Sequence, residues 1–286
     1  MRVLITGAGG MLGHDLQTAF AADQVLALTR AELDVTDEVA IQAAIGNYQP
    51  DLVVHAAAYT KVDAAETDED AAWKVNAVGS GWVARACASV GAAMIYVSSD
   101  YVFDGTLGRP YTEFDVVNPQ GVYARSKQAG EQLVREALDA SYIVRTSWVQ
   151  GEHGANFVKT MLRLGTERDG TDNALTVVDD QTGSPTFTAD LAPALRRLGA
   201  SGRYGTYHVT NSGSCTWFEF ARAIFHQAGL KVRVEPTDTA TYGAPAPRPA
   251  YSVLDNRTAR LSGFTPLPDW QDSLARLVDV LQAASS

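Results

Sequence analysis

The feature that most constrains the fold lies at the front of the chain. Arg2-Val3-Leu4-Ile5-Thr6 is a short apolar, β-branched run, followed directly by Gly7-Ala8-Gly9-Gly10-Met11-Leu12-Gly13 and a helical pattern through about Phe20. The first run has the character of a strand buried on both faces, as in a parallel sheet. A glycine turn between such a strand and a helix lets the backbone bend tightly and approach a pyrophosphate at the positive end of the helix. Gly7, Gly10 and Gly13 follow the spacing G-x-x-G-x-x-G rather than the G-x-G-x-x-G of many dinucleotide sites. The same residues could make only a tight turn, but the strand before and the helix after favour a cofactor turn built on Gly7, Gly10, Met11, Leu12 and Gly13.

The pattern then repeats. A second strand is expected at about Gln24 to Leu28, ending in Thr29-Arg30, near the point where an acidic residue would hold the ribose hydroxyls of NAD. Arg30 favours the 2′-phosphate of NADP instead, and Glu32 leaves NAD open. Leu33-Asp34-Val35-Thr36-Asp37 opens the next helix, with Asp34 a candidate for the adenine pocket or merely a helix cap. Asp51 to His55 forms a third strand. At its C-terminal end the small residues Ala56, Ala57 and Ala58, with Tyr59, allow a flat ring or ribose to lie against the backbone. His55 fits a packed strand position better than a catalytic one. A polar loop over 60–69 leads to a helix around 71–88, where Asn76 either bridges backbone groups near the site or is an ordinary surface residue.

A further buried strand, Ala92 to Val97, carries Ser98-Ser99-Asp100-Tyr101 at its tip. Ligands of open α/β sheets bind outside the carboxyl ends of the strands, so catalytic groups belong here. After a loop rich in Gly and Pro comes a helix containing Tyr123 and Lys127, one turn apart on one face. A phenol holds its proton to about pH 10, and a fixed ammonium nearby lowers that value towards a usable acid or base. A Ser99 hydroxyl at the strand tip can bond a substrate carbonyl or hydroxyl. Such a Tyr–Lys pair often arises by chance as simple packing, but the glycine turn and strand tip before it point to chemistry. Tyr142 to Arg145 is the next strand, delivering Thr146-Ser147-Trp148 to the same edge. Five β-α units in succession predict an α/β fold with a doubly wound parallel sheet.

The second half is less regular. Helices are expected at 156–165, 189–198, 214–228 and 270–281, a strand at 175–178, and a strand at 205–210 that can return to the main sheet. Thr216 and Glu219 fit a capping box. The proline-rich stretch 236–249 reads as irregular and ends at Arg248, a candidate for a nucleotide diphosphate or else a solvated surface cation. His208 reads as structural.

Composition limits the partners. A net charge of −10 argues against nucleic acid or an anionic membrane as the main partner, while leaving room for a phosphate at a helix N-terminus. Cys87 and Cys215 have no metal-like spacing and no disulfide framework, which suggests a reducing, cytoplasmic setting. No signal-peptide pattern and no apolar run of membrane-spanning length is seen.

Taken together, TGAGGMLG, HAAAYTKVD, SSDYVFDG, YARSKQAGE, RTSWV, NFVKTML, DDQTGSPT and RPAYSVLD resemble the extended short-chain dehydrogenase/reductases, and within them the dTDP-4-dehydrorhamnose reductases. The resemblance covers nearly the whole chain. It implies a Rossmann-type domain for NADP(H) over 1–150 and a smaller C-terminal α/β domain for the nucleotide sugar over 151–286. It also implies reduction of a dTDP-linked 4-keto-6-deoxysugar to dTDP-L-rhamnose with NADPH, or NADH. Tyr123 would be the proton donor, with Lys127 lowering its pKa and holding the nicotinamide ribose. Ser99 would bond the reacting oxygen, and Asp100, Tyr101 and Trp148 would line the sugar pocket. Some relatives are described as dimers holding Mg²⁺ through glutamates. Here Asp15 stands at the first of these positions and no Glu is found near Ala189, so no metal is expected, and either a monomer or a homodimer fits. An NAD-dependent epimerase or dehydratase, a reductase of another deoxysugar, and a cofactor-binding regulatory subunit are the other readings. A 4,6-dehydratase needs an Asp-Glu pair where this chain has Asp100-Tyr101, and a regulatory subunit has no use for the Ser99, Tyr123, Lys127 set.

Overall fold

The computed structural model describes residues 1–284. Its centre is a six-stranded sheet made of β1 (Arg2–Thr6), β2 (Gln24–Leu28), β3 (Leu52–His55), β4 (Ala93–Ser99), β5 (Ser141–Thr146) and β6 (Gly205–His208). All neighbours are parallel. The spatial order is β6-β5-β4-β3-β1-β2, so the chain reverses direction across the sheet between β1 and β3. That reversal opens the crevice in which doubly wound sheets bind ligands.

The strands form where the β-branched runs lie because both sheet faces are covered. Val3, Ile5, Leu52, Val54, Ile95 and Val144 pack on one side with Leu12, Leu16, Leu191 and Leu195 from the helices Met11–Ala19 and Thr188–Gly199. Leu4, Val53, Met94 and Ile143 pack on the other with Ile41, Val83 and Val134 from Glu38–Tyr48, Ser80–Val90 and Val122–Ala137. A separate apolar cluster includes Val158, Met161, Phe220, Ile224, Trp270 and Leu274. β6 joins the main sheet beside β5, and the Thr188–Gly199 helix packs on that sheet as well.

Three segments differ from the sequence expectation. The helix expected near 71–88 begins at Glu69 and continues to Val90 through a π-helical stretch, Lys74–Gly79. A Cβ at Gly79 would meet the Val35 carbonyl oxygen at 2.3 Å, so only glycine lets the bulged helix rest on the 33–36 backbone. The loop ahead of it contains one helical turn, Val62–Ala65. The stretch 236–249 is not wholly irregular: Val234–Thr237 pairs with Leu175–Val178, and Asp238 caps the turn Thr239–Tyr242. Pro236 is tolerated because a two-stranded pair has only edge strands. The capping box of Thr216 and Glu219 forms on the Trp217–Ala228 helix. No helix among the described residues is long and apolar enough to cross a membrane.

Candidate active site

A cleft of about 900 Å³ opens at the carboxyl ends of β1, β3, β4 and β5. Its floor is the glycine turn. Gly7 has φ +69°, and a Cβ there would lie 2.7 Å from the Ala57 nitrogen. A Cβ on Gly13 would lie 2.3 Å from the Gly7 carbonyl oxygen. Glycine is therefore required twice, once for backbone conformation and once for close approach. The rest of the expected cofactor surface meets on the same wall: Gly10, Met11, Leu12, Arg30, Asp34, Val35, Ala56, Ala57, Ala58 and Tyr59 all line the cleft. Asp34 accepts from the Thr36 backbone N–H, which holds its carboxyl below the usual range. Glu32 does not line the cleft; it accepts from both the N–H and the hydroxyl of Thr29, at 2.8 Å each. Arg30 is thus the charged side chain that the end of β2 turns to the cleft.

Asn76 lies behind this wall. It is fully buried, accepts from the Tyr59 N–H at 2.8 Å and donates to the Tyr59 carbonyl and the Ser126 hydroxyl. It therefore holds the Tyr59 backbone and does not line the cleft. The π-helical stretch, invisible in hydropathy, is what brings it there. His55 is also a framework residue, bonded to Thr6 and Ser80, and burial pushes its pKa down to about 3. His208 bonds the Tyr111 carbonyl and is likewise pushed down to about 3 by burial.

Ser99, Asp100, Tyr101, Tyr123 and Lys127 converge at the tip of β4. Ser99 is the last residue of the strand, and Tyr123 and Lys127 share one face of the Val122–Ala137 helix. Tyr101 packs edge-on to Tyr123 at 6.0 Å. Lys127 is 2% exposed; its ammonium donates to the Val97 carbonyl at 2.7 Å and lies 4.2 Å from the Tyr96 ring centre. One turn further along the helix, Glu131 is buried against Arg145 at 2.7 Å and accepts from Ser98. The expectation that Lys127 lowers the Tyr123 pKa is not met in this geometry. Burial pushes Tyr123 up to about 12, opposed by the Ser99 hydroxyl, and pushes Lys127 down to about 7, opposed by the Glu131 charge. Tyr123 is a protonated phenol at neutral pH.

The opposite wall carries Trp148, whose φ is +46°, an uncommon conformation for a bulky residue. Its indole passes over Gly183, where a Cβ would come within 2.4 Å of the ring. Trp217 stacks on it with centroids 3.6 Å apart and planes 7° from parallel. Trp217 and Lys61 line the cleft but were not among the sequence candidates. Only the tertiary stack on Trp148 brings Trp217, the first residue of a helix, to the site. Arg248 does not line the cleft. It is paired with Asp63 at 2.8 Å and lies near Tyr101, which connects it to the pocket. Among the described residues no group of three or more His, Cys, Asp or Glu side chains is placed to hold a metal ion.

Comparison with known proteins matches this architecture along the whole chain. The family described as RmlD substrate binding domain matches residues 1–283. A protein of Mycobacterium tuberculosis named dTDP-4-dehydrorhamnose reductase is 48% identical over 96% of this chain and 91% of its own length. The spore coat polysaccharide biosynthesis protein SpsK of Bacillus subtilis is 43% identical over 100% of this chain and 98% of its own. Among solved structures, dTDP-4-dehydrorhamnose reductase of Bacillus anthracis in complex with NADP superposes with a TM-score of 0.93, at 45% identity, covering 96% of this chain and 98% of the other. The chain belongs to the RmlD substrate-binding domain family.

Proposed function

We infer that this chain is an NADPH-dependent reductase of a dTDP-linked 4-keto-6-deoxysugar, converting dTDP-4-dehydrorhamnose to dTDP-L-rhamnose. The observation that carries the reading is the convergence of Ser99, Tyr123 and Lys127 at one end of the cleft whose other end is the glycine turn, in a chain related over its length to dTDP-4-dehydrorhamnose reductases. The residues fit the cofactor: glycines at the two points of closest backbone approach, small Ala56–Ala58 opposite them, and Arg30 for a 2′-phosphate, with Glu32 engaged by Thr29. NADPH, when bound, supplies the hydride.

The protein's own part is position, charge and one proton. Ser99 and Tyr123 donate to the sugar's 4-oxygen as it gains negative charge, and Tyr123 then gives up its proton. A phenol pushed up to about 12 is still a stronger acid than the alcohol being formed, so the transfer runs downhill, and the protonated form is the resident one at neutral pH. Lys127, anchored by Val97 and Tyr96, lies one helical turn from Tyr123; in its charged form, which burial makes harder to keep, it stabilises the developing phenolate and donates to the ribose. Trp148, Trp217 and Tyr101 give the sugar apolar walls, and Arg248, paired with Asp63 beside Tyr101, turns from that pair to the diphosphate when the sugar nucleotide binds. We propose residues 1–150 as the NADP(H)-binding part and 151–286 as the sugar-nucleotide part, with the helix Thr188–Gly199 and strand β6 serving the first.

The test is consumption of NADPH by the purified protein given dTDP-4-dehydrorhamnose, with the sugar product identified. Turnover to dTDP-L-rhamnose is expected. No turnover, together with NAD co-purifying in stoichiometric amount, would replace this reading with an epimerase or dehydratase.

A further inference from the structure

A serine hydroxyl has one proton to donate and two lone pairs. Ser99 Oγ accepts from the Tyr101 backbone N–H at 3.2 Å and lies 3.0 Å from Asp100 Oδ1. With Asp100 ionised, the carboxylate is the strongest acceptor for the single Ser99 proton and draws it away from the Tyr123 oxygen and the cleft. A donor to a developing oxyanion would then be missing from the position where the proposed reaction needs one.

Burial works against a charge on Asp100, and the Ser252 and Ser99 hydroxyls offset only part of that cost. It is 2% exposed, and its Oδ2 has no hydrogen bond of normal geometry among the described residues. The groups facing it are Ser99 and Tyr101 from its own segment, Tyr123 from the helix and Ser252 from the C-terminal part. No cation is bonded to it: Arg248 pairs with Asp63, and Lys127 donates to Val97. An ionised carboxylate so placed costs several kcal/mol unless paired, and burial pushes this one up to about 7.

We propose that Asp100 works as a neutral carboxylic acid that donates to Ser99 Oγ, which frees the Ser99 proton to point into the cleft at the reacting oxygen. The two Ser99 lone pairs then take the Tyr101 N–H and the Asp100 O–H. Neutrality also removes a negative charge from beside Tyr123 at the moment that residue becomes a phenolate. Asp100 exchanges no proton with the substrate; it is a positioning residue acting through Ser99. The inference rests on the reductase reading above and adds the direction of one hydrogen bond.

The experiment follows kcat from about pH 6 to about pH 9 for the wild type, Asp100→Asn and Asp100→Leu, and repeats the Asp100→Asn comparison in a Ser99→Ala background. Asparagine donates an N–H at every pH, whereas wild-type Asp100 stops donating as it ionises. The ratio of Asp100→Asn to wild type is therefore expected to rise about tenfold across the range, the equivalent of one lost hydrogen bond. Titration of Lys127 is common to both enzymes and cancels in the ratio. Asp100→Leu should fall roughly tenfold or more below Asp100→Asn, and once Ser99 is alanine the rise in the ratio should shrink to the part owed to the Asp100 charge beside Tyr123; an undiminished rise would show that Ser99 carries none of the effect. A flat ratio with Ser99 present, or Asp100→Leu equal to Asp100→Asn, overturns the inference while leaving an active reductase. If Asp100→Asn fails to hold NADPH, the infrared spectrum of the wild type decides. A protonated-carboxyl band lost as pH rises through about 7 supports the inference, and no such band contradicts it.

Discussion

The two walls of the cleft are built by different means. On the glycine-turn side, backbone makes the site: Gly7, Gly13 and Ala57 approach within distances that exclude any side chain, and the strands beneath are buried on both faces. On the Trp148 side, side chains make it. A Trp in a left-handed backbone conformation lies over one glycine and under another Trp, and the backbone around it forms only two-residue strand pairs, Val149–Gln150 with Thr186–Phe187 and Thr182–Gly183 with Cys215–Thr216. A backbone-built wall suits a cofactor that is always the same. A side-chain wall can change its ligand by substitution without disturbing the sheet.

This difference predicts a graded set of effects. The largest belongs to Gly13→Val, which drives a side chain into the Gly7 carbonyl; NADPH affinity, read by fluorescence titration, should fall roughly a hundredfold or more, about 3 kcal/mol. Retention of wild-type affinity would show that the glycine wall yields, and the contrast would disappear. Next is Trp217→Ala. Loss of the stack on Trp148 should raise the KM for the sugar nucleotide by roughly tenfold, with the KM for NADPH within about twofold of wild type. Equal effects on both constants would mean that the two walls are one unit. The smallest is Arg30→Ala, an exposed cation at the rim. It should raise the KM for NADPH about fivefold and leave that for NADH unchanged, and a parallel rise for NADH would remove Arg30 from 2′-phosphate recognition.

The same contrast explains how much could be read from the sequence. Strands buried on both faces appear as unbroken apolar runs, so β1 to β5 are legible from hydropathy, and the residues proposed for the site follow at their tips. The helix of Tyr123 and Lys127 was legible because one turn of helix puts them on one face. What hydropathy does not carry is backbone irregularity and cross-chain contact. The π-helical stretch that turns Asn76 behind Tyr59 depends on Gly79 meeting Val35. The Trp217 stack joins residues far apart in sequence, and the Asp63 partner of Arg248 lies in a helical turn of four residues. Spacing predicts a lowered Tyr123 pKa, whereas burial is the largest influence on this phenol and raises it, with only the Ser99 hydroxyl opposing.

The central claim is that Tyr123 delivers the proton in a cleft that otherwise binds both ligands. Tyr123→Phe tests it most directly, because the ring and its edge contact with Tyr101 remain and only the hydroxyl is lost. NADPH binding and the sugar-nucleotide KM should stay within about threefold of wild type, while kcat falls by at least about a hundredfold, the range of a lost general acid. A Tyr123→Phe enzyme that turns over dTDP-4-dehydrorhamnose at the wild-type rate would contradict the account.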